Sequence, residues 1–95
     1  MEKYDLECRF DSRNSFYGKA QVKETRYIGL HLIELFSYDT LVAKIEEKEN
    51  KTSYIYLGKY SQTTTRHQKE FFKQNGLCDR EIKELFKKGT LEKEV

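Results

Sequence analysis

Apolar and polar positions alternate through residues 15–23 (SFYGKAQVK). Phe16, Gly18, Ala20 and Val22 fall on one side, and Tyr17, Lys19, Gln21 and Lys23 on the other. A period of two is the mark of a half-buried strand. Residues 27–36 (YIGLHLIELF) read as a second, more buried strand. SYDT (37–40) follows as a turn in which Ser37 and Asp39 bond nearby backbone. Residues 40–46 form a third strand, with Leu41, Ala43 and Ile45 on one face. EKENK (47–51) is a polar hairpin loop. Residues 52–59 return as a fourth strand, with Ile55 and Leu57 inward and Tyr54 and Tyr56 outward. Residues 4–10 add a candidate edge strand, and DSRN (11–14) the turn after it.

The pattern changes at Ser61. SQTTTRHQKEFFKQNGL offers Ser61, Thr63 or Thr64 as a helix N-cap, a helix to Gln74 carrying Phe71 and Phe72 toward the sheet, and Asn75-Gly76 as its stop. A second helix starts with Asp79 as N-cap. Ile82, Leu85 and Phe86 recur at i, i+3 and i+4, and Gly89 ends it. TLEKEV (90–95) reads as a frayed tail. Sequential strands pair by default. The predicted fold class is α+β: one domain over 1–95, an antiparallel sheet of about four strands followed by two C-terminal helices packed on one face.

Composition narrows the function classes. The 95 residues are 37% hydrophobic and 36% charged, so the core is small and its 7 Tyr and 6 Phe supply much of it. No run reaches the ~20 apolar residues of a membrane span. MEKYDLECRF lacks the apolar stretch of a secretory signal. Two widely separated cysteines, Cys8 and Cys78, fit reduced thiols of a cytoplasmic protein better than a disulfide. Two histidines and two cysteines without metal-ligand spacing imply no metal, and nothing implies a cofactor. The net charge of +2 is uneven: within 51–78, Lys51, Lys59, Arg66, Lys69 and Lys73 face a lone acid, Glu70. That segment is either a solvated face or a weak phosphate track.

Several residues carry candidate chemistry, each beside a plainer reading. Thr63, Thr64, Thr65 and Arg66 gather hydroxyls, a cation and free N–H groups at a positive helix end; they form an anion site or an ordinary cap. His67 is a contact residue or a packed side chain. His31, Ser37 and Asp39 are triad residue types with no geometry to join them, so no catalytic residue is assigned. Tyr17, Tyr54 and Tyr56 share strands with Lys19, Lys23 and Lys59. They stack bases, bind protein, or form core beneath the helices.

Three segments, SFYGKAQV, LFSYDTLVAKIE and GKYSQTTTRHQKEFFKQNG, resemble a family of small proteins, a domain of unknown function, from phages, plasmids and other mobile elements of Gram-positive bacteria. The likeness spans residues 12–77. It implies a habitat, the cytoplasm of a bacterial host. By analogy with other small proteins of such elements, it implies a non-enzymatic anti-CRISPR-type inhibitor. Such a protein binds a host defence protein, a Cas9-type CRISPR effector nuclease, with Tyr54, Tyr56, Lys59, Arg66, His67 and Lys69 as contacts. The alternative is a small nucleic-acid-binding accessory protein. Neither requires a membrane or a small-molecule substrate.

Overall fold

A computed structural model describes residues 2–12 and 15–94. Its elements are β1 (Glu2–Asp5), β2 (Ala20–Tyr27), β3 (Leu30–Ser37), β4 (Thr40–Lys48), β5 (Lys51–Tyr56), α1 (Gln62–Gln74), α2 (Asp79–Lys88) and β6 (Thr90–Glu94). The strands form one antiparallel sheet in the order β1-β2-β3-β4-β5-β6. The sheet thus has six strands rather than four. The edge strand expected over 4–10 lies instead at Glu2–Asp5, sharing only residues 4–5 with it, and the supposed tail is β6. Of the expected turn at 11–14, residues 13 and 14 lie outside the described residues.

β6 was illegible because an edge strand is blunted by charge. TLEKE alternates all the same. Leu91 lies opposite Tyr54 and packs against the core, while Thr90, Glu92 and Glu94 are exposed. The helices therefore sit between β5 and β6 and cover the face on which Val22, Leu35, Ile45 and Tyr54 lie buried with Phe71, Phe72, Ile82 and Leu85. Each such apolar side chain contributes roughly 1.5–3 kcal/mol on leaving water.

Two tight turns set the register. Tyr38 and Asp39 both have positive φ (51° and 67°), the I′ pattern that suits a two-residue hairpin. Tyr17 and Gly18 (54° and 73°) repeat it, and Tyr38 N–H donates to Lys19 O at 2.8 Å. Residues 15–19 therefore form a turn, and the strand starts at Ala20. A β-bulge interrupts β4: Leu35 lies opposite Ala43, but Phe36 lies opposite Leu41, leaving Val42 as the extra residue. Val42 and Ala43 are both buried, and Leu41 moves to the other face with Phe36 instead of joining Ala43 and Ile45. The Gln68 amide holds the bulge by donating to Val42 O (2.9 Å) and Gly58 O (3.0 Å).

The helix ends follow local chemistry. Ser61 Oγ accepts Thr64 N–H at 3.1 Å and caps α1. The cap of α2 is Cys78, one residue before the expected Asp79. Its N–H donates to Glu81 at 2.9 Å, half of a capping box. Gly89, at φ 89°, ends α2 and turns the chain into β6.

Candidate binding face

The tyrosines of β5 do not point outward. Tyr54 lies opposite Ile45, is 7% exposed, and meets Phe72 edge-on at 6.4 Å. Tyr56 stacks on Phe86 at 4.1 Å. Burial pushes both phenols above their ordinary pKa. Ile55 takes the opposite face and Leu57 is exposed, the reverse of the expectation. Tyr54 and Tyr56 alternate with Ile55 and Leu57, so local hydrophobicity at 54–57 favours neither side, and pairing with Ile45 decides which is inside.

His67 is likewise interior, at 1% exposure. Its Nδ1 lies 2.8 Å from Ser37 Oγ, which lies 2.9 Å from Thr64 Oγ1. Phe16 meets its ring edge-on at 4.5 Å, and Tyr38 lies 5.9 Å away. This network ties the β3–β4 turn to the start of α1, and it is closed to solvent. The proposed anion cradle is thereby dispersed. The Thr64 hydroxyl turns inward to Ser37, the Thr65 hydroxyl donates to Ser61 O at 2.9 Å, and Arg66 reaches Asp11 at 3.5 Å. Thr63 is half-buried beside them.

His31, Ser37 and Asp39 stay apart in their bonding. His31 sits between two carboxylates, Nε2 at 2.7 Å from Glu24 and Nδ1 at 2.7 Å from Glu47. Tyr4 Oη donates to the other Glu24 oxygen. Together the Tyr4 and His31 bonds hold the Glu24 carboxyl below its ordinary range, and burial against that carboxylate pushes the Tyr4 phenol up. The chain joins four strands at the hairpin end of the sheet. Asp39 is exposed in its turn. Cys8 and Cys78 form no disulfide among the described residues.

Of the expected contacts, Lys59, Arg66 and Lys69 are on the surface. Arg66, Lys69 and Lys73 lie at i, i+3 and i+7, along one side of α1. Beside them the backbone of residues 10–11 is clamped by Glu70, itself 2% exposed. Its Oε1 accepts Phe10 N–H (2.9 Å) and Asp11 N–H (2.8 Å), and its Oε2 accepts the Gln74 amide (2.6 Å). Gln74 also donates to Glu7 O at 2.6 Å. The clamp leaves the Phe10 ring 59% exposed at the rim of a cleft of about 290 Å³ that Arg66, Lys69 and Lys73 also line.

Lys69 and Lys73 border a second cleft, of about 430 Å³, between the two helices. It is closed by Asp79, Ile82, Lys83 and Phe86. The face is thus a cationic ridge with an aromatic ring on either side. Acids stand at its ends: Asp11 by Arg66, and Asp79 at 3.0 Å from Lys73. Sequence reasoning missed Phe10, Glu70 and Lys73 as parts of one surface. The lone acid of the basic segment, Glu70, was the available signal, since an acid set among cations yet buried must serve backbone donors.

The chain matches a family of unknown function, DUF8033, over residues 4–88, and belongs to it. No curated protein and no solved structure matches it.

Proposed function

We propose that the protein is a non-enzymatic binding protein of a mobile genetic element, which acts by occupying a partner's surface through the α1 ridge. In its most concrete form it is an anti-CRISPR-type inhibitor of a Cas9-type effector nuclease in the bacterial cytoplasm, blocking nucleic-acid binding or cleavage. The observation that carries this reading is the Glu70 clamp. A buried carboxylate holds the backbone at residues 10–11 so that Phe10 stands exposed beside Arg66, Lys69 and Lys73. A pre-set aromatic anchor next to cations is the pattern of an interaction hot spot. The likeness to phage and plasmid proteins supplies the habitat. The Ser37–His67 pair, a nucleophile beside a base, is closed to substrate and supports a binding role.

A nucleic-acid-binding role is the second reading, favoured by the i, i+3, i+7 cations. Asp11 and the exposed Asp79 weigh against it, because carboxylates at both ends of the ridge repel phosphates while a protein surface can complement both signs. Co-purification with the effector and a cleavage assay at equimolar protein test the first reading. Phe10→Ala and Lys69→Glu are expected to abolish inhibition without changing the melting temperature. Undiminished cleavage at excess protein ends it. Affinity for single-stranded DNA that falls steeply with salt establishes the second reading instead.

A further inference from the structure

The cleft between the helices differs in kind from the one beside Phe10. Ile82, 3% exposed, and Phe86 form its apolar side, and Phe86 is fixed from behind by its stack on Tyr56. Lys69, Lys73 and Lys83 stand at its rim with one acid, Asp79. Lys73 is engaged by Asp79 at 3.0 Å, whereas Lys69 and Lys83, both exposed, make no ion pair among the described residues. Two unpaired ammonium groups on opposite helices thus flank an apolar recess.

We propose that this cleft binds a short acidic–apolar segment of a protein partner: one large aliphatic or aromatic side chain in the recess, with carboxylates on either side meeting Lys69 and Lys83. Charge complementarity selects the occupant. A purely apolar segment leaves the ammonium groups unmatched. A nucleic-acid strand meets Asp79 at the mouth and offers no aliphatic group to Ile82. The inference names what the α1 face recognises and rests on its being a contact surface.

Fluorescence polarisation with a labelled peptide of about twelve residues, a Leu-Phe pair flanked by Glu and Asp, tests it at low salt. Binding is expected, weakened roughly tenfold by Lys69→Glu and by Lys83→Glu, and lost when Leu-Phe is replaced by Asn-Asn. Lys19→Glu, on the β2 turn, is expected to leave it unchanged. Three results overturn the proposal: no binding tighter than about 1 mM; equal binding of the Asn-Asn peptide, which reduces the site to bare charge; or tighter binding of oligothymidine, lost by the same reversals. Peptide binding without effector inhibition keeps the cleft and removes the inhibitor reading. Inhibition without peptide binding does the opposite.

Discussion

Ser37 on β3 and His67 on α1 meet at 2.8 Å inside the molecule, and Thr64 completes the contact from one turn earlier in the helix. Neither Ser37 nor His67 has solvent to fall back on. Ser37→Ala removes the shared partner of two buried polar groups and is expected to destabilise the fold by about 1–3 kcal/mol. Urea unfolding measures it. A loss below about 0.5 kcal/mol shows that the network is not a structural tie.

The Glu70 clamp separates stability from binding. Glu70→Ala strands two backbone N–H groups and is expected to cost about 2–3 kcal/mol and to raise hydrogen exchange at Phe10 and Asp11. Phe10→Ala, which trims a largely exposed ring, is expected to change stability by under about 0.5 kcal/mol. Exchange at residues 10–11 that is unaffected by Glu70→Ala refutes the clamp.

Acid is expected to loosen both ends of the sheet. The Lys93 ammonium, 2.6 Å away, and the Cys78 N–H together hold the Glu81 carboxyl at about 2 against an ordinary 4.5. A lowered carboxyl contributes stability that is present above its unfolded value and lost as pH falls toward the folded one. Glu24 is shifted the same way by Tyr4 and His31. Thermal melts are therefore expected to drop between about pH 5 and 2. Glu81→Gln, which keeps an oxygen to accept the Cys78 N–H, should flatten part of that slope while costing under about 1 kcal/mol at neutral pH through the lost Lys93 pair. A Glu81→Gln profile parallel to wild type contradicts the assignment.

Tyr17 holds a left-handed backbone at φ 54° with its ring 77% exposed. A bulky L-residue there stores strain, and its burial offers no return. Tyr17→Asn, which tolerates that conformation, is expected to raise stability by about 0.5–1 kcal/mol. A lowered melting temperature means that the ring has a packing role.

Removing the chain from Thr90 onward uncovers Tyr54 and leaves β5 as a bare edge. The expected loss is about 2–4 kcal/mol, together with visible aggregation by light scattering. A truncated protein that stays monomeric with an unchanged urea midpoint argues against β6.

Much of this architecture was readable from residue patterns. The alternation through Ala20 and Val22, the stop at Asn75-Gly76 and the stripe of Ile82 and Leu85 all stand, because each rests on a local rule. What failed depended on partners distant in the chain. Tyr54 turns inward because Ile45 lies opposite it, and Leu41 turns outward because Val42 bulges. TLEKE is a strand only because β5 offers an open edge. The candidate face was legible in part: Arg66 and Lys69 are on it, while Phe10 joins only through a bond between residues far apart in sequence.

Strands β2 to β5 each zip to the next through a short reversal, whereas β6 finds β5 only after both helices have intervened. A nascent chain can therefore assemble four strands hairpin by hairpin, in the quick order that local pairings allow. Its last ladder waits for α1 and α2 to dock and deliver Leu91 beside Tyr54. Until then the flank of β5 stands open as a bare edge, a template for pairing with another chain.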